Sequence, residues 1–416
     1  MTTPRHLQAA HAHVASLPIE DLDVSQPQLF QDDTVEAYFA RLRDEAPVHF
    51  CARSAYGPYW SITRYADIIA VDSNHQAFSS DAFKGGAIMF DFPKGLERPN
   101  FMHMDPPQHD AKRKVVSPIV APANLARLEG LIRERVDDIL DTLPRGEAFN
   151  WVEQVSIELT SRMLATLFGF PYEERRRLIE WSEIATHDVN TGGPIDSEEK
   201  RRAALQPCLD TFTEMMRERA REPQRADLIS MLAHSPETRS LSPQEFLATM
   251  TLLIIGGNDT TRNSISGGLL AMHENPAQWR KLRENPALVP SAVSEIIRWQ
   301  TPLAHMRRNT VVDVEMHGQR IPAGSKVIMW YLSGNRDERA IENPHQFIVD
   351  RARPRQHLSF GFGVHRCVGN RLAEMQLRLL WEGILARGLE IEVVGPARRV
   401  RSNLIHGISE LPVVVH

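Results

Sequence analysis

The sequence predicts one domain that is mainly α-helical with a small β part. Three observations support this prediction: helical apolar spacing dominates residues 124–273, one very long helix is delimited at both ends, and β-like runs are short and few. The 416 residues contain no internal repeat, low-complexity tract or Gly/Ser linker that would separate modules. We therefore expect residues 1–416 to form a single continuous domain.

Within that domain, the first elements are the least regular. Residues 1–30 are interpreted as an N-terminal lead-in that follows the surface. From 36 to 122 the chain mixes helical spacing with short β-like runs, such as residues 59–62. Residues 83–103 are rich in Gly, Phe and Pro, and long irregular segments in compact domains usually bind or gate ligands. We interpret residues 83–103 as a substrate-access loop.

The long helix is predicted over residues 242–274. Residues 242–245 (SPQE) form a capping box with proline at the first helical position, and the apolar pattern then continues to Glu274. Gly256 and Gly257 each weaken a helix by about 1 kcal/mol relative to Ala, so we expect a local opening at its middle.

The remaining elements follow in order. A second helix is predicted near residues 291–299, ending before Pro302, and short strands with turns are predicted over residues 316–330. A last helix is predicted from about 368 to 386, ended by Gly388.

Composition and charge exclude several classes of function. A net charge of -5 and a pI near 6.4 give no basis for nucleic-acid binding. Cys51, Cys208 and Cys367 lie too far apart for a secreted disulfide framework. The N-terminus lacks the apolar core of a secretion signal, and the longest apolar stretch, residues 246–255, is far short of the roughly 20 residues that span a bilayer. We expect a cytoplasmic protein without a membrane anchor.

The strongest chemical motif is residues 360–369, FGFGVHRCVG. It places Cys367 at the end of a glycine-rich loop and directly before a helix, where free backbone N–H groups and the helix dipole favour a thiolate. Glycines also allow the backbone to approach a flat cofactor closely. The alternative is an inert buried cysteine beside a turn.

This loop matches the cytochrome P450 motif at every defining position, and other family motifs follow in order over essentially the whole chain. The sequence thus resembles a soluble bacterial cytochrome P450. The resemblance implies the P450 fold, haem b with Cys367 as the axial iron ligand, and insertion of oxygen from O2 into a C–H bond. It also implies that Phe360 and Gly369 contact the haem.

The resemblance identifies an ion network that supports the haem loop. Glu295 and Arg298 look like the family's Glu-x-x-Arg pair, and Arg351 looks like its third member. Taken alone, Glu and Arg three residues apart are usually a surface pair. Ala352 departs from the phenylalanine that relatives often carry after the arginine.

A second chemical site lies at the middle of the long helix. Asp259 and Thr260 resemble the family's acid–alcohol pair, which delivers protons during O2 reduction, and Gly256 resembles the position that lies against the haem. The alternative is that Asp and Thr only bond to the helix backbone.

Basic residues occur where the family neutralises the haem propionates. His109 and Arg113 are four residues apart and share a helix face, and Arg307 and His365 complete the predicted set. Taken singly, each is more often a surface cation or a core histidine.

A local basic cluster surrounds Cys367 in an otherwise acidic protein. Its members are Arg351, Arg353, Arg355, Arg366 and Arg371, of which the ion network is expected to consume Arg351. A charge cluster is usually a solvated face. Here we expect it to dock an acidic iron-sulfur or flavin protein, and the partner that we predict is a ferredoxin with an NADH-linked reductase.

The substrate prediction rests on closer resemblance. The stretches GGNDTTRNS, HLSFGFGVHRCVGNRLAEMQLR and NFMHMDPPQHDAKRK look most like bacterial terminal hydroxylases of alkanes and fatty acids. An apolar pocket is expected. Its predicted residues are Met89, Phe90, Phe101, Leu252, Leu253, Ile255, Leu303, Ala304, Leu404 and Ile405. Alternatives are a steroid or terpenoid side-chain hydroxylase, a non-catalytic haem-thiolate sensor or carrier, and a peroxide-driven enzyme.

Overall fold

The computed structural model describes residues 5–416, with side chains from residue 7 onward. The described residues form sixteen α-helices joined by short 3-10 turns, and one π-helical turn precedes α7. The helices are α1 (Arg5–Ser16), α2 (Pro27–Gln31), α3 (Val35–Glu45), α4 (Tyr65–Ser73), α5 (Gln108–Val116), α6 (Pro122–Asp141), α7 (Glu158–Phe168), α8 (Arg176–Thr186), α9 (Glu198–Ala204), α10 (Gln206–Arg219), α11 (Leu228–His234), α12 (Pro243–Glu274), α13 (Pro276–Glu284), α14 (Val289–Gln300), α15 (Tyr331–Gly334) and α16 (Asn370–Ala386).

The strands are short and belong to four small sheets. They are β1 (Val48–Cys51), β2 (Tyr59–Ile62), β3 (Phe78–Ser79), β4 (Ala148–Asn150), β5 (Met306–Thr310), β6 (Val314–Met316), β7 (Gln319–Ile321), β8 (Lys326–Met329), β9 (Ile391–Val393), β10 (Arg398–Arg399), β11 (Ile408–Glu410) and β12 (Pro412–Val415). The largest sheet has the order β1-β2-β8-β5-β3, in which only the β2–β8 pair is parallel. The prediction of a mainly α-helical domain with a small β part is confirmed.

Helix α12 runs through the helical part of the molecule and packs against α7, α8, α14 and α16. The predicted capping box is present: the Ser242 hydroxyl accepts from the Glu245 N–H at 3.3 Å, and the Ser242 N–H donates to the Glu245 carboxylate at 3.1 Å. The predicted opening is wrong, because the helix is continuous through Gly256 and Gly257. Gly257 packs against the Leu164 side chain, and the Thr260 hydroxyl donates to the Gly256 carbonyl at 3.2 Å.

Three apolar clusters form the core. The largest lies among the long helices, the second joins the N-terminal region to β8, and the third lies under the five-stranded sheet. Residues 1–4 of the predicted lead-in lie outside the described residues. The rest of it includes α1 and α2, and its Val14 and Phe30 side chains are buried in the second cluster, where Phe30 stacks on Trp330. The lead-in therefore contributes apolar side chains to the core.

Between the 3-10 turns Ala82–Lys84 and Phe101–His103, the predicted access loop contains no helix or strand. No single helix among the described residues is both long and apolar enough to cross a membrane. One bent pair, Gln108–Val120 with Pro122–Asp141, passes that test by length and composition.

Candidate active site

The loop that carries Cys367 is shaped by two glycines and anchored to α4. Gly361 and Gly363 have φ of 65° and 62°, a region that favours glycine. A Cβ on Gly363 would lie only 2.6 Å from the Asp72 carbonyl oxygen, so this close approach also requires glycine. The Phe362 N–H donates to the Asp72 carboxylate at 2.7 Å, and the Cys367 N–H donates to the Phe360 carbonyl at 2.8 Å. These bonds fix the loop.

Cys367 differs from the other two cysteines in its surroundings. Cys51 and Cys208 are packed in the core, and burial raises the pKa of both thiols, that of Cys51 to about 11. The Cys367 side chain borders open space, yet it lies deep enough that burial raises its thiol pKa. Hydrogen bonds from the backbone N–H groups of Gly369 and Asn370 favour the thiolate and offset part of that rise in pKa. Of the three cysteines, Cys367 is therefore the one whose sulfur can ligate a group bound in the open space beside the loop.

Helix α12 presents one open face at its middle. Leu252, Gly256 and Thr260 recur every four residues, so they share a side of the helix, and none is buried. A Cβ on Gly256 would meet nothing within 4 Å. By contrast, Asn258 and Asp259 are fully buried on another side, which packs against α7 and α8. The helix therefore has space for a flat ligand beside Gly256.

The Asp259 carboxylate points away from that open face. The Ser182 hydroxyl on α8 donates to one of its oxygens, and Arg262 forms an ion pair with the other at 2.6 Å. Arg262 also bonds to Glu183 at 3.2 Å. Sequence reasoning missed these partners: the spacing of Asp259 and Arg262 could have indicated their pair, but nothing in the sequence indicated Ser182.

A cavity of about 290 Å³ adjoins the same carboxylate. Glu183, Asp259 and Arg262 line one side of it, and residues from the 400–409 segment line the other. Asp259 therefore adjoins this cavity on the side of α12 away from Thr260.

Imidazoles with buried, unpaired nitrogens lie beside the cysteine loop. The His109 and His365 rings meet edge to face with centroids 4.4 Å apart, and the Nε2 of each is buried without a hydrogen-bond partner. Burial lowers the pKa of both, that of His365 to about 2. Arg113 donates to the Arg366 carbonyl, which joins α5 to the loop. His103, which sequence reasoning missed, is also buried with both ring nitrogens unpartnered.

Arg307 lies in the same region but already has an acidic partner. It is buried, and its Nη1 lies 2.6 Å from Asp91 in the predicted access loop. Lys326, also buried, binds the other oxygen of Asp91 at 2.6 Å. Two buried cations thus share one carboxylate, which leaves excess positive charge.

These residues fit a haem. Unpaired imidazole nitrogens and excess buried cations suit a group with two carboxylates, because buried charges require partners. The open face at Gly256 suits a flat ring, and the open-sided Cys367 thiol suits an iron atom.

The structure brings the predicted ion network together. The Glu295 carboxylate accepts from Arg298 at 2.7 and 2.8 Å and from Arg351 at 2.8 and 3.0 Å, and all three side chains are buried. The two guanidinium groups outweigh burial and lower the pKa of Glu295. Arg298 also donates to the Asn335 and Pro344 carbonyls, so the network ties α14 to the segment that leads to the cysteine loop.

The predicted pocket residues are only partly brought together. Leu303 pairs with Ile405 in an isolated β-bridge, and the Ala304 N–H donates to the Leu404 carbonyl at 2.9 Å. The predicted pocket residues that belong to the core are divided among all three apolar clusters. Met89, Phe90 and Ala304 belong to the second cluster, Phe101, Leu252, Leu253 and Ile255 to the first, and Leu303 to the third. Met89 and Ala304 are fully buried.

The fold and this site define a haem-thiolate enzyme, and comparison with known proteins agrees. Residues 192–388 match the cytochrome P450 family model. Linalool 8-monooxygenase of Pseudomonas putida is 34% identical over 406 residues, which cover 95% of this chain and 99% of that protein. The chain belongs to the cytochrome P450 family and is a monooxygenase.

Two solved structures are more similar in sequence. Cytochrome P450-153 from Novosphingobium aromaticivorans is 41% identical with a TM-score of 0.89, covering 95% of this chain and 99% of its own. CYP153D17 from Sphingomonas sp. PAMC 26605 is 43% identical with a TM-score of 0.91, covering 96% and 100%. The prediction of a bacterial P450 near this group is confirmed. As a member of the family, the chain uses haem b held by a cysteine thiolate, O2, redox partners and a small-molecule substrate.

Proposed function

We propose that this monooxygenase hydroxylates the terminal carbon of medium-chain alkanes or fatty acids. The observation that carries the proposal is its 41–43% identity with two P450-153 structures, a group associated with alkane omega-hydroxylation. A more distant relative, a methyl-branched lipid omega-hydroxylase, is 29% identical, whereas a steroid C26-monooxygenase (32% identical) supports the alternative substrate class.

In this proposal Cys367 ligates the haem iron, and His109, Arg113, Arg307 and His365 neutralise the propionates. Gly256, Phe360 and Gly369 contact the ring. When bound, the haem supplies the oxidising chemistry, by which RH, O2, two electrons and two protons give ROH and water.

Asp259 and Thr260 are proposed to deliver the protons. Asp259 takes protons from the cavity beside Glu183, where Ser182 and Arg262 hold its carboxylate. Thr260 lies on the adjoining open face of α12. In this proposal, protons enter the relay on the cavity side of α12 and leave it on the side that faces the haem.

Electrons are proposed to come from a ferredoxin and its NADH-linked reductase in the cytoplasm. Arg353, Arg355, Arg366 and Arg371 are exposed around the cysteine loop, whereas Arg351 is buried on Glu295. Exposed arginines of one sign favour transient docking of an acidic protein.

Product analysis tests the substrate proposal. With a ferredoxin, its reductase, NADH and a medium-chain alkane or fatty acid, the main product is expected to be the terminal alcohol. Internal C–H bonds are weaker, so terminal oxidation requires side chains that exclude the interior of the chain. Leu303, Ala304 and Leu252 are the proposed walls, and Leu303→Ala should raise the share of internal alcohols several-fold.

The controls separate this proposal from its alternative. Val311→Ala, which shortens an exposed apolar side chain just after β5, should leave the product distribution unchanged. A wild type that makes mostly internal alcohols, or that oxidises sterols or terpenoids but no linear chain, would favour the steroid or terpenoid reading that two of the relatives suggest.

A further inference from the structure

We propose that Asp91 is a specificity-determining residue, because it fixes the position of Phe90, a predicted pocket residue of the predicted access loop. The inference rests on the proposed function, since it concerns which carbon of a chain-like substrate is oxidised. It is carried by the contacts of residues 85–91 with two buried cations, Arg307 and Lys326.

The first part of the access loop is wrapped around Arg307. The Arg307 N–H donates to the Ala87 carbonyl at 2.8 Å, and its Nη1 donates to the Phe90 carbonyl at 3.3 Å and to Asp91 Oδ1 at 2.6 Å. Gly85, at φ 120°, lies so close that a Cβ there would clash with the guanidinium. Because the guanidinium is a rigid planar fork, these contacts hold residues 87–91 in one place.

Lys326 holds the other oxygen of the same carboxylate. Its Nζ donates to Asp91 Oδ2 and to the Tyr56 carbonyl, each at 2.6 Å. Strands β5 and β8 pair with Asn309 opposite Lys326, which sets the two cations side by side. Burial and Arg307 lower the pKa of Lys326, whereas Asp91 opposes that fall.

Asp91 is the one acidic group paired with either cation among the described residues. The side chains of Arg307 and Lys326 are 5% and 7% exposed, whereas that of Asp91 is 60% exposed. In the haem-loaded protein, loss of the carboxylate would leave Lys326 buried without a counter-charge and Arg307 with only a propionate, which is costly. The low-energy response is a shift of the loop that admits water to them.

A shift of Asp91 would also move Phe90, which is a predicted pocket residue. It directly precedes Asp91, and its ring meets Tyr56 edge on, with centroids 5.4 Å apart. The Tyr56 hydroxyl donates to Asp188 at 2.5 Å, in the segment between α8 and α9. Asp91, Phe90 and Tyr56 therefore join the access loop, the β1–β2 hairpin and the α8–α9 segment. Displacing Asp91 moves a predicted substrate-contacting ring.

Asp91→Asn tests the inference when it is compared with the wild type on the same medium-chain fatty acid. We expect KM to rise roughly fivefold and the share of internal alcohols to at least double. The value of kcat should stay within twofold of wild type, and the thiolate Soret band should be unchanged. Asp91→Glu, which keeps the charge, should restore most of the terminal product. Asp313→Asn is the matched control, because Asp313 is exposed and pairs with Arg320 in the separate β6–β7 hairpin.

Coupling to Phe90 is tested with Phe90→Ala. If Asp91 acts through this ring, the double variant should give the same products as Phe90→Ala alone, since effects along one path do not add. Should Asp91→Asn fail to bind haem, Lys326→Gln should shift products in the same direction to a smaller extent. If the wild type gives mainly the terminal alcohol and a haem-loaded Asp91 or Lys326 variant gives the same product distribution, this inference alone is overturned. If the wild type gives mainly internal alcohols, the proposed function is overturned.

Discussion

At the residue scale, loss of the Glu295 carboxylate should strongly affect stability. Glu295→Gln leaves Arg298 and Arg351 buried beside a neutral group, so the free energy of unfolding should fall by about 3–5 kcal/mol. Denaturant unfolding of the haem-loaded protein measures this. Glu180→Gln on exposed α8 surface is the control and should stay within about 0.5 kcal/mol of wild type. Equal stability of all three proteins would contradict the role of the network.

The stabilisation that the Glu295 carboxylate provides depends on pH, and the direction follows from its lowered pKa. Since the pKa of Glu295 is lowered in the folded state, its contribution is present above the ordinary glutamate pKa and is lost as pH falls through the lowered value. The difference in unfolding free energy between wild type and Glu295→Gln should therefore shrink in acid.

Single residues also show where sequence reasoning ends. The loop residues around Cys367, the network on Glu295 and the His109–Arg113 pair were all named, because each lies within a short motif. The partners of Asp259 and Arg307 were missed, because Ser182 and Asp91 reach them only through folding, from 77 and 216 residues away. Arg307 was expected to be free for a propionate, yet a carboxylate of the access loop already binds it.

At the scale of elements, two glycines of α12 should respond in opposite ways to alanine. Gly256→Ala adds a methyl group in open space, so before haem is added it should stabilise the protein by about 1 kcal/mol through helix propensity. Gly267→Ala adds one against the buried Gln300 side chain, which donates to the His406 carbonyl at 2.6 Å. Overpacking there should cost about 1–3 kcal/mol, more than the propensity gain.

Denaturant unfolding of the haem-free variants measures both changes. Stabilisation by Gly267→Ala, or destabilisation by Gly256→Ala, would contradict the packing of α12 described above. The ends of this helix were predicted within a residue because capping is local. Its continuity across Gly256–Gly257 was not predicted, because glycine propensity carries no information about tertiary packing, such as that of Gly257 against Leu164 on α7.

At the scale of the whole molecule, the fold class followed from the sequence but the sheet order did not. The parallel β2–β8 pair joins Trp60 to Val327, and periodicity alone carries no information about such distant partners. The lead-in likewise reads as polar surface, yet its few apolar residues complete the second core cluster. Every functional proposal made for this fold depends on the assignment of Cys367 as the axial haem ligand, which is therefore the central claim.

The absorption spectrum of the reduced protein with carbon monoxide tests that claim most directly. Wild type, Cys51→Ala and Cys208→Ala should all show the long-wavelength Soret band of thiolate ligation, because the first two cysteines are packed in the core. Cys367→Ala should lack the band. A normal thiolate band in Cys367→Ala would contradict the assignment of Cys367 as the haem ligand.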